Sequence, residues 1–318
     1  MAIDKVILVG AGPSGLLLAL LLSKHHPDLH VDLLEKASSL DTNPRASHYT
    51  PEANMEFERA GILSQVREAG MDANGVSWRK MDENKTRLCR LRNPVPKTKE
   101  EAESDEFRYR MTCLPLHKLG RILEAELLKL NNVNLLYGHE VVDISQAPEK
   151  AAVEVKVAAP EDGPSAASTT ITMIADYVVG SDGANSTIRR KLFGDWNWPG
   201  FTWDRQIVAT NMYYDFSPYD YDDSQFFIDP EHWHMVARIQ PDGLYRVTYG
   251  EADGKLGYDE LKKRQPAKFE TILPGNPKPD QYKLVGFSPY KVHQRCVDKM
   301  RLGRFLLVAD AAHLCNPL

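Results

Sequence analysis

Short apolar runs on either side of a glycine-rich turn dominate the start of the chain. Residues 5–9 and 31–34 are apolar and rich in branched side chains, residues 10–15 contain three glycines, and residues 16–24 are rich in leucine. Short apolar runs predict buried strands, and the longer leucine-rich stretch predicts a helix. The pattern therefore predicts strand, turn, helix and strand, the βαβ unit of a mostly parallel sheet.

Helical spacing returns in residues 44–70 and again in residues 114–130, which predicts helices packed on the sheet. Residues 93–105, between them, are rich in proline, lysine and glutamate and predict a solvated loop. The alternating runs 153–157 and 171–174 predict a β-hairpin or meander with a flexible connection.

From residue 196 onward the pattern changes to aromatic and β-branched strands. These are expected at residues 206–214, 234–239 and 244–249, with a Pro-Asp-Gly turn before the last of them. Such a run predicts an antiparallel sheet inserted in the first fold. The short apolar run 304–308 then returns the chain to the parallel sheet. The predicted class is α/β, a Rossmann-like mostly parallel sheet with an inserted antiparallel-sheet lobe.

Composition narrows the class of protein. Of the 318 residues, 42% are hydrophobic and 26% are charged, which is enough apolar material for a large core. A net charge of -5 provides no basic surplus, so we expect no nucleic-acid partner. The four cysteines are widely scattered without the spacing of zinc sites or disulfide frameworks, and this favours a reducing, cytoplasmic location.

The most hydrophobic stretch, residues 6–22, resembles a signal peptide or a membrane span only superficially. Glycines and a proline interrupt its middle. A spanning helix needs about 20 apolar residues without such a break. We therefore expect no membrane span.

The glycine-rich turn has the spacing G-x-G-x-x-G, and its residues are Gly10, Ala11, Gly12, Pro13, Ser14 and Gly15. The first glycine permits a tight turn, the second lets the backbone approach a pyrophosphate, and the third lets helix and strand pack closely. Glu35 follows the next apolar run, 20 positions beyond Gly15, where it can accept hydrogen bonds from a ribose. An acid there disfavours a 2′-phosphate, so the motif predicts bound FAD or NAD rather than NADP.

Two later segments bear on that choice. Asp182 and Gly183 follow the apolar run 177–180, and Asp310 follows the run 304–308. Three segments resemble, in their order and separation, those of the class A flavoprotein monooxygenases, the family of para-hydroxybenzoate hydroxylase and phenol hydroxylase. They are the glycine-rich turn, the D-G segment at Asp182 and Gly183, and the segment at Asp310, which matches the family's G-D segment. The resemblance covers essentially the whole chain and implies FAD as the cofactor.

The resemblance also implies roles for individual residues. Asp310 is similar to the family's ribityl-binding aspartate, although the glycine that precedes it in the family is Ala309 here. Asp182 resembles the aspartate that serves the flavin pyrophosphate region and the visiting nicotinamide cofactor, with Gly183 beside it. From the residues alone, an aspartate at the end of a buried strand can accept hydrogen bonds from a sugar-like chain.

Three further residues resemble FAD-contacting positions. Arg45 matches an arginine near the flavin and the nicotinamide route, with a surface arginine that caps a turn as the alternative. Arg121 resembles another position that reaches FAD, although its helix lacks the glutamine that the family often has near Leu116 or His117. Pro317 resembles the start of a glycine-rich loop against the flavin ring.

The resemblance implies an FAD-dependent monooxygenase that uses NADH or NADPH and dioxygen to hydroxylate a phenolic or other activated aromatic small molecule. It leaves a homodimer open, and no residue is identified as catalytic. An FAD-dependent oxidase or dehydrogenase, and a catalytically impaired truncated FAD-binding protein, are the alternatives.

The implied organisation has three segments. Residues 1–195 form the first part of an FAD-binding domain, residues 196–292 form the inserted substrate-binding lobe, and residues 293–318 return to the FAD-binding domain. In the family the chain continues with a glycine-rich loop and a long helix, so the resemblance predicts that this end is missing.

Several polar side chains of the inserted sheet have two interpretations each. Its tyrosines are Tyr213, Tyr214, Tyr245 and Tyr249. They could orient a phenolic substrate, but aromatic residues on a sheet are more often packing. Arg238 and Arg246 could bind a substrate anion or pair with nearby acids. His232 and His234 lack a third ligand at a familiar interval, so no metal is expected.

Overall fold

The computed structural model describes residues 2–41, 46–92, 94, 96–158, 169–195 and 197–315. The chain divides into two compact units. The first unit comprises Met1–Asp41, Leu119–Phe201 and His293–Leu318, and the second comprises Thr42–Lys118 and Thr202–Val292.

The helices of the described residues, in chain order, are α1 Pro13–His25, α2 Pro51–Arg59, α3 Leu63–Ala69, α4 Lys99–Glu103, α5 Asp105–Arg108, α6 Leu116–Leu127, α7 Thr187–Phe193 and α8 Tyr258–Ile272. Short 3₁₀ turns occupy Ser217–Tyr219, Pro279–Gln281 and Ala309–Ala311. The strands are β1 Lys5–Val9, β2 His30–Glu35, β3 His48–Tyr49, β4 Met71–Asp72, β5 Gly75–Lys80, β6 Arg87–Arg92, β7 Thr112–Cys113, β8 Val133–Tyr137, β9 His139–Gln146, β10 Ala151–Val157, β11 Thr169–Ala175, β12 Tyr177–Gly180, β13 Gly200–Tyr213, β14 Ser224–Ile228, β15 His234–Arg238, β16 Leu244–Glu251, β17 Lys283–Cys296, β18 Arg301–Leu302, β19 Phe305–Leu307 and β20 His313–Leu314.

A six-stranded sheet forms the centre of the first unit, in the order β18-β19-β12-β1-β2-β8. β1 pairs in parallel with β12 on one side and with β2 on the other, and Val6 lies opposite both Tyr177 and Val31. The carboxyl ends of these strands therefore meet at one edge of the sheet. The predicted βαβ unit and the predicted α/β class are confirmed.

Helix α1 begins directly after Gly12, with a proline as its first residue. Pro13 occupies its first turn, where the missing N–H of proline is harmless. Leu16, Ala19 and Leu20 are buried at helical spacing against the sheet. The helix ends at His25, and the N–H of the next residue, His26, donates to the carbonyl of Leu22.

The predicted hairpin is present as part of a three-stranded antiparallel sheet, β11-β10-β9, in the first unit. Val153 lies opposite Met173, and Val155 lies opposite Ile171. Val153 and Val155 are buried in the core of that unit, as the alternating pattern predicts. The connection at residues 159–168 lies outside the described residues.

The larger sheet belongs mainly to the second unit. In the described residues it has eight strands, in the order β20-β17-β13-β16-β15-β14-β5-β6. β13, β16, β15 and β14 pair antiparallel, which confirms the predicted inserted sheet. One face packs Val208, Val247 and Tyr249 against Leu261 and Phe269 of α8.

The second unit also includes β5 and β6, which the predicted boundaries placed in the FAD-binding segment, residues 1–195. β5 pairs with β14, and β6 pairs with β5, so residues 75–92 extend the inserted sheet. This pairing joins segments about 150 positions apart in the chain, and local hydrophobic spacing does not report such contacts.

Two local expectations need correction. The stretch predicted as a solvated loop contains the short helix α4, and its last residue is the first residue of α5. The side chain of Thr98 accepts the N–H of Glu101 and caps α4, which gives this polar segment a local reason to be helical. The predicted helix at residues 44–70 is divided into α2 and α3.

A small antiparallel sheet, β3-β7-β4, completes the second unit. His48 lies opposite Cys113, and Tyr49 lies opposite Thr112. Among the described helices of the chain, none is both long enough and apolar enough to cross a membrane.

Candidate functional site

The first glycine of the turn after β1 occupies a position that only glycine fills without strain. Gly10 has a φ of +101°, and its N–H donates to the carbonyl of Leu34 over 2.7 Å. A Cβ atom there would lie 2.6 Å from the carbonyl oxygen of Ser181. Gly10 thus lets β1 turn sharply while it touches the segment that follows β12.

The other two glycines of the turn differ sharply in their surroundings. A Cβ on Gly15 would lie 2.0 Å from the carbonyl oxygen of Gly10, so this glycine is required by packing inside the protein. A Cβ on Gly12 would meet no atom of the described residues within 4 Å. Gly12 therefore borders open space, where a ligand can approach the backbone.

The start of α1 adds an electrostatic preference to that open space. Pro13 and Ser14 form its first turn and are half-buried, and this turn contains no acidic residue. The unpaired N–H groups at a helix start carry a partial positive charge. Together with the open position of Gly12, they fit a phosphate group.

Glu35, at the end of β2, ties the turn to the neighbouring strand. Its Oε2 accepts the N–H of Ala11 over 2.8 Å, and its Oε1 accepts the N–H of Ala37 over 2.9 Å. A carboxylate has about four acceptor positions, so these two bonds leave capacity for ribose hydroxyls. The residue predicted as a ribose acceptor thus also shapes the loop.

The two carboxylate oxygens of Asp182 have different surroundings. Its Oδ2 accepts the N–H groups of Thr187 and Ile188, over 2.7 Å and 3.2 Å, at the start of α7. Its Oδ1 is buried and has no hydrogen-bond partner in the described part of the chain. Leaving such an atom unpaired costs about 1–3 kcal/mol or more, so Oδ1 fits a donor from a bound ligand.

Gly183, the next residue, has a φ of +76°, and a Cβ there would meet no described atom within 4 Å. The D-G segment also packs on the first glycine, since a Cβ on Gly10 would lie 2.8 Å from the Cα of Asp182. The structure therefore brings the glycine-rich turn and the D-G segment together.

Asp310 is exposed and lies in the 3₁₀ turn that follows β19, the strand beside β12. The residue before it, Ala309, has a φ of +50°, in the left-handed region that favours glycine. The N–H of Ala312 closes a single turn on Ala309, and its carbonyl then accepts the N–H of Val297.

Sequence reasoning missed Arg189, which joins the last two segments. Its guanidinium donates to the carbonyls of Ala184 and Ala311, over 2.9 Å and 3.3 Å. It also stacks 3.5 Å from the ring centre of Trp198. Burial lowers the pKa of Arg189, and the nearby Asp182 carboxylate acts in the opposite direction. An arginine at this spacing in α7 was visible in the sequence, but its burial was not.

The remaining predicted residues are not brought to this edge by described contacts. Arg121 is exposed on α6, and its side chain makes no hydrogen bond to the described residues. Arg45 and Pro317 lie outside the described residues. Their roles stay predictions.

The tyrosines of the larger sheet mainly serve packing. Tyr249 is fully buried against Phe269, and Tyr245 packs on Phe216. The hydroxyl of Tyr213 donates to Asp242 over 3.0 Å. Tyr214 and the other aromatic residues around it join the same cluster on the α8 side.

The histidine pair shows no metal-binding geometry. Nδ1 of His234 lies 2.7 Å from the carbonyl of His232, so this nitrogen donates. Burial lowers the pKa of His234 to about 3, and the ring is therefore neutral. In the part of the chain that the structure describes, no group of three or more His, Cys, Asp or Glu side chains could hold a metal ion.

The fold and this site together define a dinucleotide-binding protein of the α/β class. The chain belongs to the FAD binding domain family, whose family model matches residues 4–318. This confirms FAD, rather than NAD, as the resident cofactor.

Two similar enzymes come from Pseudomonas. Para-nitrophenol 4-monooxygenase of Pseudomonas sp. (strain WBC-3) is 34% identical over 316 residues, which cover 99% of this chain and 73% of that protein. 6-Hydroxy-3-succinoylpyridine 3-monooxygenase HspB of Pseudomonas putida (strain DSM 28022 / S16) is 34% identical over 326 residues, which cover 99% of this chain and 74% of that protein.

A solved structure has the same architecture. The crystal structure of p-nitrophenol 4-monooxygenase PnpA from Pseudomonas putida DLL-E4 matches with a TM-score of 0.86 and 34% identity, over 99% of this chain and 74% of that chain. These relatives confirm the predicted family and the prediction of an FAD-dependent aromatic monooxygenase.

Proposed function

We propose that this monooxygenase uses NADH or NADPH and dioxygen to hydroxylate a phenolic or other activated aromatic small molecule. The names of the two relatives support the substrate class, since one acts on a nitrophenol and the other on a hydroxypyridine. The observation that carries the proposal is the open space at Gly12, at the start of α1 and beside the D-G segment, whose buried carboxylate oxygen has no hydrogen-bond partner among the described residues.

The first unit would hold FAD through its backbone and three carboxylates. The pyrophosphate would lie at Gly12 and the first turn of α1, where N–H groups are available. Glu35 would accept ribose hydroxyls with its remaining lone pairs, and Asp182 Oδ1 would accept a donor from the cofactor. Asp310, which is exposed, would take the ribityl chain.

When bound, FAD supplies the redox chemistry that links a nicotinamide reductant to dioxygen. The chain's own residues orient the cofactor and keep its phosphates fixed. Arg189 supports this indirectly, because its guanidinium holds the D-G segment to the turn that carries Asp310. The second unit would supply the surface for the aromatic ring.

The direct test measures both the hydroxylated product and the amount of reductant consumed. The purified chain is loaded with FAD and incubated with a phenol, isotope-labelled dioxygen, and either NADH or NADPH. We expect reductant consumption that depends on the phenol, and one labelled oxygen atom in a hydroxylated product detected by mass spectrometry.

The alternatives give different readouts. Hydrogen peroxide in amounts equal to the reductant consumed, with unlabelled phenol recovered, would indicate an oxidase. Oxidation of a substrate without NADH or NADPH would indicate a dehydrogenase or an oxidase. A Gly12→Ala variant, which should fold normally but bind FAD poorly, is the matched control for catalysis by free flavin.

A further inference from the structure

A groove of about 560 Å³ lies beside the edge strand of the six-stranded sheet, within the first unit. It is formed by the hairpin β18-β19, the start of β12 and the turn between β9 and β10. This volume is in the range of small-molecule sites, about 300–1,000 Å³. The residues of its lining that matter below are Gln146, Ala147, Tyr177, Arg301, Leu302 and Arg304.

The groove and the residues assigned to FAD lie at opposite ends of the same two strands. Tyr177 begins β12, and Gly180, which precedes the D-G segment, ends it about 10 Å away along the strand. Arg304 directly precedes β19, and the turn that carries Asp310 follows the same strand. The groove is therefore separate from the candidate cofactor site.

Both arginines of the groove are held against one aromatic ring. The guanidinium carbon of Arg301 lies 5.3 Å from the ring centre of Tyr177, and that of Arg304 lies 4.9 Å from it. Nη2 of Arg301 also donates to the hydroxyl of Tyr177 over 3.4 Å. The ring attracts each cation, but sharing it brings two like charges close together.

The backbone of the hairpin and the neighbouring turn orient the two guanidiniums. Oε1 of Gln146 accepts the N–H of Arg304 over 2.8 Å, and a Cβ on Gly303 would lie 2.2 Å from that oxygen. Nε of Arg304 donates to the carbonyl of Pro148 over 2.9 Å. Nε of Arg301 donates to the carbonyl of Gly303 over 3.0 Å. The two side chains are therefore positioned without any bound ligand.

The positive charge of these two arginines is not balanced within the groove. In the part of the chain that the structure describes, neither Arg301 nor Arg304 forms an ion pair, and no acidic side chain lines the groove. The carboxylate of the neighbouring Asp176 pairs with Lys150 over 2.5 Å, and Arg304 reaches only the carbonyl of Asp176. Each guanidinium has five N–H donors, so both retain donors for a ligand.

Another groove of the same unit shows the contrast. It has a volume of about 580 Å³ and lies between α7 and β9. The side chains of Arg190 and Lys191 line it together with those of Glu140 and Asp195, so its charges balance. The groove at Tyr177 is the one of these two that attracts an anion, in a chain whose net charge is -5.

We propose that this groove binds a small organic anion through a carboxylate or phosphate group, in addition to FAD and the aromatic substrate. The planar fork of arginine matches the oxygens of both groups, and one anion offsets the repulsion between Arg301 and Arg304. Ala147 and Leu302 line the groove beside them, and Leu302 is 37% exposed. The organic part of the ligand covers this apolar surface.

The test is a calorimetric titration of the FAD-loaded protein with glycerol phosphate and, separately, with succinate. The ionic strength is held constant with sodium chloride, and bound FAD keeps the probes out of the cofactor site. We expect saturable binding at one site per chain. Tighter binding of glycerol phosphate identifies a phosphate ligand, and tighter binding of succinate identifies a carboxylate ligand. Failure of both probes to saturate would overturn the proposal.

Two variants change the charge of the groove in different ways. Arg301→Met removes one cation and should weaken binding of the better probe about 5- to 50-fold, between the loss of an exposed ion pair and that of a charge-assisted hydrogen bond. Ala147→Glu keeps both arginines and places a competing carboxylate beside them, so it should weaken binding to a similar extent. Arg190→Met is the matched control, because it removes an arginine from the charge-balanced groove and should leave probe affinity within about twofold.

Urea unfolding and FAD titration separate ligand binding from a purely structural role. Arg301 and Ala147 are exposed, so both variants should keep the wild-type urea midpoint and bind FAD within about twofold of the wild type. Probe binding that is unchanged in Arg301→Met and in Ala147→Glu would overturn the proposal. So would a loss of probe binding that occurs only together with a loss of stability or of FAD, since the arginines would then serve the fold.

Discussion

The three glycines of the nucleotide turn permit a prediction that separates folding from cofactor binding. Gly12→Ala places a methyl group in a position where no described atom lies within 4 Å. Its φ of −68° and ψ of 174° are accessible to alanine. We therefore expect the cofactor-free protein to fold normally and to lose affinity for FAD.

The magnitudes follow from the local structure. Alanine in place of glycine at a helix N-cap lowers the free energy of unfolding by about 0.5–1 kcal/mol. The reduced flexibility of the unfolded chain raises it by about 0.4–1 kcal/mol. The net change in the free energy of unfolding is then close to zero. If the methyl group displaces the pyrophosphate from two backbone N–H groups, each about 1.5–3 kcal/mol, FAD affinity falls about 10²- to 10⁴-fold.

Urea unfolding of the cofactor-free protein and titration of FAD by quenching of flavin fluorescence measure the two quantities. Gly15→Ala is the contrasting variant, because its methyl group would lie 2.0 Å from the carbonyl oxygen of Gly10. It should destabilise the protein by about 3 kcal/mol or more. The reasoning would be refuted if Gly12→Ala bound FAD as tightly as the wild type, or if it unfolded as readily as Gly15→Ala.

Three other variants test individual positions. Ala309→Gly should stabilise the protein by about 1 kcal/mol, because it relieves a left-handed φ of +50°, and a lower urea midpoint would contradict this. Glu35→Ala should cost about 1–3 kcal/mol of stability, since two backbone N–H groups lose their acceptor, and should also weaken FAD binding; a change in only one of the two would assign Glu35 a single role. The hydrogen bond from Lys150 holds the pKa of Asp176 at about 2, below its ordinary 3.8, so this carboxylate stabilises the fold above about pH 4 and loses that effect as the pH falls toward 2. Asp176→Asn should flatten the acid side of the stability profile measured by unfolding at each pH, and an unchanged profile would show that other carboxylates control it.

The sequence by itself determined the βαβ unit, the FAD-binding family and the inserted antiparallel sheet. Each rests on local information. Apolar runs and helical spacing report which face of an element is buried. A G-x-G-x-x-G turn requires glycines because of its local backbone conformation and the close backbone contacts within it. Gly10, with its φ of +101° and its close approach to Ser181, shows why that turn was readable in advance.

The tertiary structure decided which distant segments touch and which charges are buried. Periodicity did not indicate that Gly75–Lys80 pairs with Ser224–Ile228, since strand pairing depends on contacts between segments far apart in the chain. Nor did it separate the two oxygens of Asp182, one of which caps α7 while the other is buried without a partner in the described residues. Arg238 and Arg246 looked equivalent in the sequence, and only the packing of the sheet shows that Arg246 is the one removed from water. Burial of a charged group depends on all the elements around it, and no local pattern in the chain records them.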